Sequence, residues 1–161
     1  MSNTGQLFVV GTPIGNLKDV TLRAISTLQS VDIILAEDTR NSKKLLDAHK
    51  IETKMISYHE HSNDKEIKKI IDLLLEGKDL ALISDAGTPT ISDPGYGLIR
   101  DCIKHDIVIV PIPGVSAITA AMSVSGLPSD SFTFVGIVPQ KKGRLKKIEL
   151  LKNIELSLIH I

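Results

Sequence analysis

Apolar residues along this chain fall into two alternating patterns. Short apolar runs occur at Leu7–Val10, Ile33–Ala36, Lys54–Ser57, Leu80–Ser84 and Ile107–Pro111. Of these, Ile33–Ala36, Leu80–Ile83 and Ile107–Val110 are almost wholly apolar, as strands are when a parallel sheet is covered on both faces. Between the runs the periodicity turns helical. The clearest case is Asp64–Glu76, where Ile67, Ile70, Ile71 and Leu74 follow the i, i+3, i+4, i+7 rule. Asn63 and Glu66 have capping-box spacing, and Gly77 suits the position just past a helix end. Further helices are expected over Thr21–Gln29, Asn41–His49, Gly95–His105 and Val115–Ser125. The order βαβαβαβαβα predicts an α/β fold with a mainly parallel five-stranded sheet and flanking helices.

Leu127-Pro128-Ser129-Asp130 breaks this alternation. A strand is expected at Phe132–Val138, then a basic loop, a helix around Leu145–Lys152 and a last apolar run, Leu156–Ile161. Pro128 reads as a domain boundary. Residues 1–127 form the first domain, and 128–161 the incomplete beginning of a second α/β domain. There are no internal repeats and no low-complexity tract.

Composition changes the picture little. The 161 residues are 42% hydrophobic, enough for one well-buried core. Nineteen Lys+Arg balance nineteen Asp+Glu, so global charge does not announce a nucleic-acid binder. Locally, Lys141, Lys142, Arg144, Lys146, Lys147 and Lys152 stand against Glu149 and Glu155. Such a patch either contacts phosphates or is a solvated helix face. The single cysteine, Cys102, excludes a disulfide or a multi-cysteine metal site within this chain and reads as a small core residue. The N-terminus lacks the basic and apolar regions of a secretory signal. Ile107–Ser129 carries no charge and is long enough to span a bilayer. Its Pro111, Pro113, Gly114 and Gly126 fit a strand, a tight turn and a buried helix better. The expected compartment is the cytoplasm, with no membrane partner.

In this architecture ligands collect beyond the carboxyl ends of the strands, and the most distinctive segments fall there. The first strand ends in VGTPIGNL, where Gly11 and Gly15 allow close backbone approach and Pro13 stiffens the loop. The second ends in AEDTR. Glu37, Asp38, Thr39 and Arg40 read either as a helix start, with acids at the positive dipole end and Thr39 as cap, or as a polar rim for a substrate. Tyr58-His59-Glu60-His61 follows the third strand; without a third ligand in view it reads as solvated rather than metal-binding. The fourth leads into SDAGTPTISDPG, too long and too specific for a plain turn. The fifth leads into a helix whose Ser116, Ala117, Ala120 and Ala121 permit close approach to the sheet or to a flat ligand. There is no nucleophile elbow and no zinc-binding HExxH helix.

The strings VGTPIGNLKDVTLRA, AEDTR, SDAGTPTISDPG, PGVSAITAA and SGLPSDSFTFVG, in this order from Gln6 to about Pro139, resemble the tetrapyrrole methylase superfamily. The likeness is closest to its small-subunit ribosomal RNA methyltransferase I branch. The resemblance implies S-adenosylmethionine as methyl donor and 2′-O-methylation of a cytidine ribose in small-subunit rRNA. It also implies a two-domain homodimer with the methyl donor held between domains. Carried over locally, it assigns methyl-donor binding to Pro13, Ile14 and Gly15, to Asp85, Ala86, Gly87, Thr88 and Ile91, and to Ser116 and Ala117. It places substrate handling in AEDTR, with Thr39 and Arg40 as contacts and Arg40 facing a phosphate. The family continues for roughly another hundred residues, and SLIHI stands where it has an aromatic-rich strand ending in Glu-Ser; the chain therefore reads as truncated in the second domain. A ribose hydroxyl is a poor nucleophile that a general base would help, and Asp38, Glu37 and Asp85 are the candidates. Two alternatives stay open: a corrin-pathway methyltransferase, against which AEDTR and TPIGN argue, and a non-catalytic α/β fragment.

Overall fold

The computed structural model describes residues 4–59 and 64–152. The chain divides into two compact units, residues 1–115 and 116–161, a division that falls ahead of Pro128. In the first unit the strands are β1 (Leu7–Val10), β2 (Ile33–Ala36), β3 (Met55–Ser57), β4 (Leu80–Ile83) and β5 (Ile109–Ile112). They alternate with the helices α1 (Leu22–Ser30), α2 (Thr39–Ala48), α3 (Asp64–Leu75) and α4 (Tyr96–Lys104). The strands form one sheet in the order β3-β2-β4-β1-β5, and every neighbouring pair is parallel. This is the five-stranded α/β arrangement that the periodicity predicts.

Alternation along the strands explains the uninterrupted apolar runs. Leu80 and Leu82 of β4 pack with Leu7 and Leu35 against Ile70, Ile71 and Leu74 of α3 and Leu98 and Cys102 of α4. Their neighbours Ala81 and Ile83 pack with Val10, Ile34 and Ala36 against Ala24 and Leu28 of α1 and Leu45 and Leu46 of α2. Successive residues thus enter opposite cores, so neither face of the strand can be polar. Each fully buried leucine or isoleucine contributes about 1.5–3 kcal/mol. Burial pushes the Cys102 thiol up to about 12, as befits an unreactive core residue.

The helix ends are set locally. The Thr21 hydroxyl accepts from the Ala24 N–H at 3.0 Å and caps α1. Asp38, not Thr39, caps α2: its carboxylate accepts from the Arg40 N–H at 2.8 Å, and Thr39 is the first helical residue. Past α3, Gly77 adopts φ 90°, and the N–H groups of Gly77 and Lys78 return to the carbonyls of Leu74 and Leu73. Asn63, the other half of the expected capping box, lies outside the described residues, as does the run Leu156–Ile161.

The second unit contains α5 (Ala117–Val124) and α6 (Arg144–Lys152). Two expectations fail here. Residues 132–138 are not a strand: no ladder partner lies beside them among the described residues. Phe132, Phe134 and Ile137 are exposed. A strand exists only where a neighbour takes its N–H and C=O groups, so β-forming composition alone could not make one. Helix α5 is apolar in composition, yet none of its residues is buried. Composition sets what can be buried, whereas a covering surface sets what is. Among the described residues no helix is long and apolar enough to cross a membrane.

Candidate functional site

A parallel sheet brings the carboxyl ends of all five strands of the first unit to one edge. Helices α1 and α2 cover one face, and α3 and α4 the other. Strand β4 lies between β2 and β1. The chain leaves β1 and β2 toward the first face and leaves β4 toward the second. Adjacent strands whose connections diverge in this way open a crevice between them, and β4 has one on each side.

At the β1–β4 crevice the two loops are stitched together. Thr12 and Gly87 exchange both backbone hydrogen bonds, at 2.8 and 3.0 Å, as a single antiparallel bridge at the end of a parallel pair. The buried Thr12 hydroxyl donates toward the Ser84 carbonyl at 3.1 Å and the Gly87 carbonyl at 3.3 Å. Gly87 has φ 80°, a left-handed conformation suited to glycine. On the other side of β1 the Gly11 N–H donates to the Ile112 carbonyl at 3.1 Å. There the backbones touch: a Cβ on Gly11 would lie 2.9 Å from Gly114 N and Cα.

At the β2–β4 crevice the Asp38 N–H donates to Asp85 Oδ1 at 3.2 Å, which ties AEDTR to SDAGTPTISDPG. The Asp38 carboxylate faces the other way. It caps α2 and pairs with Arg40, Oδ2 to Nη2 at 3.0 Å. The Arg40 side chain and backbone hydrogen bonds hold Asp38 down at about 2, and Asp38 in turn raises Arg40. Arg40 itself remains 90% exposed. Beside this junction is an open recess of about 450 Å³ lined by Glu37, Ser92, Asp93 and Pro94. Partial burial raises the Asp93 carboxyl; a hydrogen bond from Ser84 opposes that rise and the Asp85 charge adds to it.

The loop that carries Asp93 is strained. Thr90 and Ser92 adopt φ 72° and 62°, positions that glycine would fill at less cost. Each costs on the order of 1–3 kcal/mol, and such residues persist only where their surroundings hold them. Here the holding groups are Pro89 and Pro94, both buried, and the Thr90 N–H donating to the Pro94 carbonyl at 3.3 Å.

The residues read from the sequence fall into three places. Pro13, Ile14 and Gly15 sit on the β1 loop, and Asp85, Ala86, Gly87, Thr88 and Ile91 on the β4 loop, with the Thr12–Gly87 bridge joining the two. Pro13 and Gly87 are buried, whereas Ile14, Gly15, Asp85, Ala86, Thr88 and Ile91 face solvent. Glu37, Asp38, Thr39 and Arg40 stand at the next crevice. Ser116 and Ala117 begin α5 in the second unit, where Ser116 is the cap residue without a side-chain cap bond. Tyr58 is buried; Glu60 and His61 lie outside the described residues, and the described residues contain no cluster of three metal ligands. Thr12 and Asp93 are functional candidates that sequence reasoning passed over. Both lie inside quoted motifs, but nothing in the spelling marks one as the junction or the other as half-buried.

Residues 6–155 match the family described as Tetrapyrrole (Corrin/Porphyrin) Methylases, and the chain belongs to that family. Proteins named ribosomal RNA small subunit methyltransferase I are its near relatives. That of Halalkalibacterium halodurans is 53% identical over 96% of this chain and 54% of its own length. That of Thermotoga maritima is 49% identical over 92% of this chain and 67% of its own. That of Bacillus subtilis is 48% identical over 98% and 54%. The chain thus spans about half to two thirds of the length of these relatives. Among solved structures, uroporphyrin-III-C-methyltransferase from Thermus thermophilus superposes with a TM-score of 0.59 at 21% identity, over 77% of this chain and 54% of that one. A cobalt precorrin-4 methyltransferase of cobalamin biosynthesis gives 0.58 at 20%, over 89% and 65%. At these identities the structural neighbours establish the fold and nothing finer.

Proposed function

We propose that the whole protein is an S-adenosylmethionine-dependent methyltransferase of small-subunit ribosomal RNA, acting on the 2′-hydroxyl of a cytidine ribose. The observation that carries this reading is the close likeness to proteins named for small-subunit rRNA methylation, nearly the full length of this chain. The corrin-type alternative has only a likeness of fold in its favour. A two-domain protein divided near Pro128, a homodimer and a cytoplasmic location belong to the same proposal.

The residues present suit the methyl donor. A nucleoside needs open backbone, an apolar surface and hydrogen-bonding groups at one place. A Cβ at Gly15 would meet nothing within 4 Å and Gly15 is exposed, so the backbone is accessible there; at Gly87 a Cβ would meet only the Ile14 side chain at 3.6 Å, which leaves room beside the loop junction. Ile14 and Ile91 are large apolar side chains left exposed on the same two loops. Asp85 contributes a carboxylate between the crevices. When bound, the sulfonium supplies an electrophilic methyl carbon, and the protein has only to hold it in line with the acceptor. In this reading the β1 and β4 loops position the methyl donor. Asp38 fixes Arg40 through the α2 cap, and the free guanidinium edge meets an RNA phosphate.

The test is calorimetry with S-adenosylmethionine, followed by transfer of labelled methyl to small ribosomal subunits that lack the modification. It uses this chain and a version extended to the relatives' length with the C-terminal part of the H. halodurans protein. Saturable binding and transfer to a cytidine ribose in the extended protein are expected. Absence of both in the extended protein would refute the reading and leave a non-catalytic α/β module.

A further inference from the structure

Four carboxylates stand along the β2–β4 crevice, and the structure separates them by what each already does. Asp38 caps α2 and is ion-paired with Arg40. Asp85 accepts the Asp38 N–H that joins the two loops. Glu37 and Asp93 line the recess, Glu37 from the loop after β2 and Asp93 from the loop after β4. Asp93 is the half-buried one, behind Pro94 and next to the strained Ser92. A proton acceptor has to reach its substrate from a recess and hold one orientation. It also has to be basic, and a carboxylate committed to a cation is the least basic of the set.

We propose that Asp93 is the general base of the methyl transfer, and that Asp38, first among the candidates read from sequence, is a positioning residue for Arg40. The inference rests on the function proposed above. In the step itself the acceptor hydroxyl oxygen forms a bond to the methyl carbon of a sulfonium donor. The carbon–sulfur bond breaks, and its electron pair stays on sulfur. The hydroxyl proton passes to a carboxylate oxygen of Asp93. Two features of the loop serve this role. The positive-φ conformations of Thr90 and Ser92 are closed by the Thr90 N–H donating to the Pro94 carbonyl, which fixes the backbone on both sides of Asp93, and the buried Pro94 follows it directly. The charged groups around it are Glu37 across the recess and Asp85 along its own loop. Burial and then the Asp85 charge raise the Asp93 carboxyl.

The experiment has two arms. In the first, carbon-detected NMR follows the carboxyl of Asp93 in this chain, without substrate. It is expected to titrate above the ordinary aspartate range while Asp38 titrates below it; an Asp93 that titrates at or below Asp38 overturns the proposal. In the second, the extended protein is compared with Asp93→Asn and Asp93→Glu for methyl-donor affinity and for the pH profile of kcat/KM on undermethylated subunits. Asp93→Asn is expected to keep methyl-donor affinity within twofold and to lose at least tenfold in kcat. General bases contribute about 10²–10⁴-fold. The acid limb of the profile is expected to vanish in Asp93→Asn and to persist, displaced, in Asp93→Glu, which also controls for folding. A smaller loss in kcat, or an unchanged acid limb in Asp93→Asn, overturns the assignment even though the enzyme methylates RNA. An extended wild-type protein that transfers no methyl sinks the proposed function itself, and the role of Asp93 with it.

Discussion

Replacing Gly11 by alanine inserts a methyl group where two backbones already touch. The new Cβ would sit 2.9 Å from Gly114 N and Cα and 3.6 Å from the Ile112 carbonyl oxygen. None of these atoms belongs to a side chain that can swing aside, so the end of β1 must move away from the end of β5. That movement stretches the 3.1 Å hydrogen bond from the Gly11 N–H to Ile112. Overpacking costs about 1–3 kcal/mol, and a clash made only of backbone belongs at the upper end, near 3 kcal/mol. For a chain of this size each kcal/mol lowers Tm by about 2–4 °C, so a fall of roughly 6–12 °C is expected. Urea denaturation checks the free energy and thermal unfolding the Tm. Gly15→Ala is the comparison: its Cβ meets nothing within 4 Å, and its cost of roughly 1 kcal/mol is confined to the φ of 150°. If Gly11→Ala stays within about 0.5 kcal/mol of the parent, the close approach of β1 and β5 is wrong.

Other expectations follow from single interactions. The Ser42 hydroxyl is buried without a hydrogen-bond partner among the described residues, so Ser42→Ala is expected to stabilise the chain by about 1 kcal/mol in urea denaturation, and a loss of stability would reveal an unrecognised partner. Asp38 is held at about 2, below its ordinary 3.8, by Arg40; the stability it contributes is therefore fully present above pH 4 and lost as pH falls toward 2. Arg40→Ala should move the Asp38 carboxyl signal back toward the ordinary value in an NMR titration, and an unmoved signal would argue against the pair. Changing Lys141, Lys142, Arg144 and Lys146 together to alanine should weaken RNA binding. The slope of log affinity against log salt should fall by about 0.7 for each phosphate that the substitutions leave unneutralised. An unchanged slope would mark the basic stretch as a solvated face.

The sheet was legible because β2 and β4 are sandwiched between two cores, which leaves an apolar run with no polar interruption. The loops were legible because they lie where such sheets expose backbone, and their Gly and Pro content marks them. Pairings between distant segments were not. Nothing in the spelling near Thr12 says that it will exchange hydrogen bonds with Gly87, because that pairing is fixed by strand order. Thr90 and Ser92 were equally hidden, since positive φ is written in sequence as glycine or asparagine and here is imposed by buried prolines. The role of Asp38 turned on one residue of offset in the cap, Asp38 rather than Thr39, and that offset turned its carboxylate toward Arg40. The stretch 132–138 misled because a strand's existence is decided by its neighbour, whereas its composition is decided alone.

The Thr12–Gly87 bridge bears on how any ligand is received at this edge. The two loops share a pair of peptide hydrogen bonds and a buried hydroxyl, so their relative position is fixed before a ligand arrives. The conformational entropy of ordering them is then lost during folding and not during binding. Association at this edge therefore proceeds without a folding transition of the loops, with a rate governed by encounter and a small heat-capacity change confined to the area the ligand covers.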